Sequence, residues 1–358
     1  MRGEEAFCLT RLDAVAAARE WVCAKGADYP GFCGAYLSGS VLETPDTAPW
    51  PETSDVDVVL VVHTFDGAAS PGKFLYEGVL LEITCIDKGA FTSLREILST
   101  HYLAFALQAQ GVLADPEGWL TPLHREVSAL YAKDTWVRAR CASFFAAIRK
   151  AASSFDPSAP YPQRVNSWLF PTGISAFPIV AAGLRNCTVR KRYKQAREVL
   201  VQYGFEAFYP ALLRQLTGQG FDPACLGAHI RELGVTFDLA AASSGPSAAY
   251  RFRKDISAAA RPIAIGGSAQ LLQSAHPEDA VFWMGATFAR CHIILQMDAP
   301  ALYVQRLRAF RRFMADIGLS RSEDYVRRFQ SLLALLPEIE KTTECIIRTR
   351  ASERVYPG

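Results

Sequence analysis

The segment SDVDVVLVV, residues 54–62, constrains the fold more than any other in the chain. Its valine and leucine run reads as a buried strand, yet two aspartates stand at its start. Side chains at i and i+2 share one face of a strand, so Asp55 and Asp57 point one way while Val56 and Val58 pack the other. Two carboxylates held side by side resist joint ionisation unless a cation sits between them. Hard divalent cations such as Mg²⁺ take oxygen ligands of this kind and keep open positions for substrate phosphates. A second apolar run, LLEITCID, offers a third acid, Glu82, between Leu81 and Ile83; Asp87 at its far end is the weaker candidate.

The strand reading extends upstream. FCGAYLSGS reads as a strand closed by a glycine turn at Gly39 and Ser40, where the backbone can approach a phosphate and a hydroxyl can hold its oxygens. A helix over Leu9–Lys25 precedes it, with Leu12, Val15, Ala16, Trp21 and Val22 at helical spacing. A proline-rich loop, ETPDTAPWPETS, separates Ser40 from Asp55. FTSLREILSTHYLAFALQAQ follows the second acidic strand as a helix. This alternation predicts a small α/β sheet domain over residues 1–120.

From Leu123 the texture changes. LHREVSALYAKDTWVRARCASFFAAIRKAAS is a long helical pattern, and strand-like alternation is nearly absent beyond it. The expected architecture is α+β: a small mixed-sheet domain over 1–120, then a large all-helical region over 121–358 with a candidate division near 240–250. No internal repeat stands out.

With 50% hydrophobic and 21% charged residues, the chain has the composition of a folded protein with a real core. Its net charge of +2 gives no global argument for nucleic acid or membrane surfaces. The nine cysteines form no CxxC pair, which fits reduced, packed thiols rather than disulfides or a zinc site. Nor do the six histidines show HxH or HxxxH spacing. GxSxG and P-loop patterns do not occur, so serine-hydrolase and Walker-type readings have no support. The N-terminus lacks the basic start and apolar stretch of a signal peptide, and VDVVLVV is too short to cross a bilayer, so the expectation is a cytoplasmic protein.

Taken in order, Gly39-Ser40, then Ser54-Asp55-Val56-Asp57, then Glu82 within LEIT resemble the DNA polymerase beta-like nucleotidyltransferase superfamily, which includes kanamycin and other aminoglycoside nucleotidyltransferases. The resemblance covers residues 30–120. It implies an Mg²⁺-dependent enzyme, with two ions, that moves a nucleoside monophosphate to an acceptor hydroxyl. AMP from ATP is the favoured donor and an aminoglycoside-like small molecule the favoured acceptor; a protein or RNA acceptor, or a non-catalytic nucleotide-binding module, are the alternatives. Asp55, Asp57 and Glu82 would hold the metals. Gly39, Ser40 and Ser54 would meet nucleotide phosphate. The loop between Ser40 and Asp55 is longer than in compact members, and either shapes an acceptor site or is a surface insertion.

Relatives with helical C-terminal regions often hold triphosphate with basic residues there. TVRKRYKQAREVL supplies Arg190, Lys191, Arg192, Lys194 and Arg197; on a helix, Arg190, Lys194 and Arg197 share a face. Arg190, Lys191 and Lys194 are the candidates, with Arg149-Lys150 as a second choice and a solvated helix face as the bland alternative. QRLRAFRRFM, basic with interleaved aromatics, is open to an RNA- or DNA-binding reading but is read first as an amphipathic helix with Leu307, Phe310 and Phe313 in the core. IGGS at Ile265–Ser268 repeats the Gly-Ser signal without an acidic strand and reads as a turn or cap.

Overall fold

The computed structural model describes residues 9–65 and 70–355, with side chains described through residue 352. By its contacts the chain divides into two compact units, Met1–Ala132 and Lys133–Gly358.

The first unit is built on a five-stranded mixed sheet. Helix α1 (Arg11–Ala24) begins at a capping box, in which Thr10 and Asp13 each satisfy the other's backbone N–H. The strands are β1 (Phe32–Ser38), β2 (Val56–Val62), β3 (Gly72–Tyr76), β4 (Val79–Asp87) and β5 (Val112–Ala114), in the spatial order β3-β4-β2-β1-β5. Only β2 and β4 run parallel; the remaining pairs are antiparallel. Between β4 and β5 lie α2 (Leu94–Ser99) and α3 (His101–Gln108), and α4 (Leu120–Tyr131) closes the unit.

One face of the sheet is apolar because the strands alternate. Val56, Val58 and Leu60 of β2, Leu81, Ile83 and Cys85 of β4, and Ala35 and Leu37 of β1 pack with Ala14, Ala17, Ala18, Trp21 and Val22 of α1. The residues between them, Asp57 on β2 and Glu82 on β4 among them, point to the opposite face.

Two strands were not expected. β3 pairs with β4 through a two-residue turn at Glu77-Gly78, both at positive φ (46° and 75°), the backbone that suits a tight hairpin. β5 lies in the segment following α3. The single helix expected over Phe91–Gln110 is instead two, broken at Thr100, which is extended (φ −97°, ψ 111°).

The second unit is helical throughout its described residues: α5 (Asp134–Ser153), α6 (Tyr161–Ile174), α7 (Phe177–Ala182), α8 (Arg192–Gln202), α9 (Tyr209–Thr217), α10 (Leu226–Ala242), α11 (Gly267–Leu272), α12 (Val281–Asp298), α13 (Pro300–Asp316) and α14 (Ser322–Val355). The long pattern across Leu123–Ser153 is thus two helices, α4 and α5, and the units divide at the break between them. Helix α12 is buried on every side from Val281 to Leu295 save Trp283, as suits a predominantly apolar segment at the centre of a core, and it takes Thr287, Arg290 and His292 in with it. Around it pack Trp168, Phe237, Phe310 and Phe313, and Leu307 lies partly buried beside them. Within IGGS, Gly266 is the N-cap residue of α11, and Ser268 sits inside that helix, buried, with Oγ donating to Ala264 O at 2.8 Å. The stretch Tyr161–Ala182 is long and apolar enough to cross a membrane, but it is mostly buried in this core and is interrupted between α6 and α7. Cys8 lies outside the described residues; the other eight cysteines form no disulfide.

Candidate metal-nucleotide site

The register of the sheet assembles the acids. Ser38 of β1 faces Asp57 of β2, Asp57 faces Glu82 of β4, and Glu82 faces Lys73 of β3. These four residues form one row across four strands, on the face away from α1. Asp55 stands two residues before Asp57, just ahead of β2, and joins the same face. One carboxylate oxygen from each of Asp55, Asp57 and Glu82 lies within 4.8 Å of the other two.

Gly39 has a specific duty here. Its φ is +72°, and a Cβ at this position would lie 1.8 Å from Asp57 Oδ2. Glycine therefore lets the turn after β1 close directly over the Asp57 carboxylate. Ser40 follows in the short turn Gly39–Leu42, and its carbonyl accepts from Glu43 N at 3.1 Å and Thr44 Oγ1 at 2.9 Å. Ser54 is buried, with its N–H donating to Pro51 O at 2.9 Å, immediately before Asp55.

The proline-rich loop folds back on the start of α1. Arg11 Nε donates to Val41 O (3.1 Å) and Nη1 to Asp46 Oδ1 (2.6 Å), while Trp50 N donates to Leu9 O (2.7 Å) and the Trp50 ring is buried. The loop is thereby tied to Leu9 and Arg11 at the start of the chain's first helix.

The charge of the cluster is answered from a residue that the sequence did not single out. Lys73 reaches across from β3 and its Nζ donates to both Asp55 Oδ2 and Glu82 Oε2, with only 8% of its side chain exposed. Burial opposes the ammonium charge, but the surrounding carboxylates outweigh it and raise the lysine's pKa. At Asp55 burial acts upward, but the Lys73 charge and hydrogen bonds from Lys73 and Glu82 together bring the carboxyl below its ordinary value. Asp57 is left over. Burial first, then the negative charges of Asp55 and Glu82, push it well above the usual carboxylate range. Three carboxylates against one ammonium leave the site short of positive charge, and Asp57 resists ionisation for want of a second cation. An all-oxygen donor set with that deficit fits a hard divalent cation.

The basic segment belongs to the second unit, where its members have internal partners. Arg190 and Lys191 precede α8 rather than lying on it, so Arg190 does not share a helix face with Lys194 and Arg197. Arg190 Nη1 instead donates to Ile263 O at 3.0 Å, and its guanidinium fills the space where Gly267 would carry a Cβ. Lys194 pairs with Glu198, one turn on, and Arg197 with the buried Asp279 at 2.8 Å. Arg192 is buried 3.7 Å from the Phe282 ring centre and 4.4 Å from that of Phe177, and burial drives its pKa down to about 9. Arg149 pairs with Glu340 on the surface.

Comparison with protein-family models, with curated proteins and with solved structures found no match to this chain.

Proposed function

We propose that the first unit is a nucleotidyltransferase domain, which binds a nucleoside triphosphate with Mg²⁺ and transfers the nucleoside monophosphate to a hydroxyl. The observation that carries this reading is the register Asp57↔Glu82, which gathers three carboxylates beside the Gly39 turn. AMP from ATP, and a small-molecule acceptor of the aminoglycoside kind, come from the sequence resemblance.

In this reading Asp55, Asp57 and Glu82 would hold the metal. When bound, Mg²⁺ would supply the Lewis-acid charge that activates the attacking hydroxyl and stabilises the leaving pyrophosphate. The protein's own contribution is positional. Pairing of β2 with β4 fixes Asp57 against Glu82. Gly39 admits the turn over Asp57 and presents Ser40, whose hydroxyl would meet phosphate, with Ser54 next to Asp55. Val56, Val58, Leu81 and Ile83, packed on α1, keep both acidic strands rigid behind the site.

The Lys73 ion pairs favour a second reading, in which the lysine occupies the cluster permanently and the unit binds nucleotide without turnover. Calorimetric titration of ATP, GTP, CTP and UTP, with Mg²⁺ and with chelator, separates the two. The transferase reading expects metal-dependent binding that is lost in Asp55→Ala/Asp57→Ala. Binding that ignores the chelator supports the second reading, and no binding of any triphosphate by folded protein sinks both.

A further inference from the structure

Lys73 stands where the acids would hold a metal. Its strand, β3, is at the edge of the sheet, and the β3–β4 register sets it directly opposite Glu82. The same ammonium that pairs with Glu82 also pairs with Asp55, two residues before Asp57 on the same face, and it is almost wholly sequestered from water. A divalent cation shared by the three acids would need the same Asp55 and Glu82 carboxylates. With both cations on those two carboxylates, like charges would be in near contact in a largely buried cluster, so the two exclude one another. Lysine suits an exchangeable role: its charge is a point at the end of a flexible four-carbon stem, unlike a guanidinium fork locked to one geometry.

We propose that Lys73 is a resident cation that occupies the carboxylate cluster in the metal-free protein and must leave it for a divalent metal to load, so that it sets the metal concentration at which the site fills. The inference rests on the transferase reading in one respect, that the acids take a divalent metal. It adds a part for a residue outside the Gly-Ser and acidic motifs. Without Lys73 the three carboxylates would face one another uncompensated, and the cluster would bind a divalent ion more tightly while the metal-free protein became less stable.

The test uses the full chain, Mn²⁺ as the probe and no nucleotide. Calorimetric Mn²⁺ titration of Lys73→Gln should give at least tenfold tighter binding than the unsubstituted protein. In chelator Lys73→Gln should melt at lower temperature, and Mn²⁺ should restore it. A second arm needs no substitution: Lys73 Nζ should resist acylation by a small amine reagent in chelator and become reactive when Mn²⁺ is added, read by peptide mass spectrometry. Equal or weaker Mn²⁺ binding by Lys73→Gln, or continued protection of Lys73 in Mn²⁺-loaded protein, overturns the exchange and leaves the metal site standing. Absence of Mn²⁺ binding by both folded proteins removes the metal reading and this inference with it.

Discussion

Replacing Gly39 by alanine tests the geometry of the site through two separable costs. The first is conformational: φ at Gly39 is +72°, and a non-glycine residue there costs about 1–2 kcal/mol. The second is steric. The new Cβ would fall 1.8 Å from Asp57 Oδ2, 2.8 Å from Cγ and 3.3 Å from Cβ. Because even the Asp57 Cβ is close, swinging the carboxylate aside does not fully relieve the crowding, and overpacking of this kind adds about 1–3 kcal/mol. Gly118 supplies the control in the same unit, with φ +70° and nothing within 4 Å of the place its methyl would take. Gly118→Ala should therefore lose about 1–2 kcal/mol in urea denaturation and Gly39→Ala about 2–5 kcal/mol. Mn²⁺ affinity should fall at least tenfold in Gly39→Ala, whose Asp57 is displaced, and stay unchanged in Gly118→Ala. Equal destabilisation of the two variants, with equal metal affinity, would refute the placement of the turn over Asp57.

Two further predictions concern the second unit. Arg328 ties two helix ends together, its Nη1 donating to Arg214 O and Gln215 O and its Nη2 to Ile317 O, between glycines at φ +77° and +79°; Arg328→Met should cost about 2–4 kcal/mol, and Arg328→Lys, lacking the fork, should recover little of it. His292 is buried against Phe288, Phe310 and Tyr303 with its pKa pushed down to about 4, chiefly by burial, from an ordinary 6.5. The unfolded chain takes up this proton first as pH falls, so the stability is intact above about pH 6.5 and is lost progressively down to about pH 4. Between pH 7 and pH 5 the loss should be about 2 kcal/mol, and His292→Phe should be spared that share in paired urea titrations; an unchanged slope in the variant would disprove it.

The acids could be read in the sequence because their signal is local. Asp55 and Asp57 head an apolar run whose period of two assigns them one face, and Glu82 interrupts a second run in the same manner. Lys73 could not be found that way. GKFLY is a five-residue strand whose lysine looks solvated until its pairing with β4 is known. One hint was available, the Glu77-Gly78 pair between alternating segments, which fits a hairpin turn and would have put Lys73 opposite Glu82. The placement of Arg190 on a helix face failed for a related reason. Continuous helical spacing placed that residue on α8, whereas a hydrogen bond to Ile263, 73 residues away, holds it ahead of the helix. Likewise α4 and α5 meet at Ala132-Lys133 with no glycine or proline between them, so periodicity alone runs straight through the boundary of the units.

Anomalous diffraction from crystals grown with Mn²⁺ and a non-hydrolysable ATP analogue would show whether Asp55, Asp57 and Glu82 together hold a divalent metal beside a triphosphate. The expected map has an anomalous peak bounded by carboxylate oxygens of all three residues, triphosphate beside the Gly39-Ser40 turn, and Lys73 withdrawn from Asp55. A cluster without an anomalous peak, with Lys73 still paired to Asp55 and Glu82, would overturn the metal assignment.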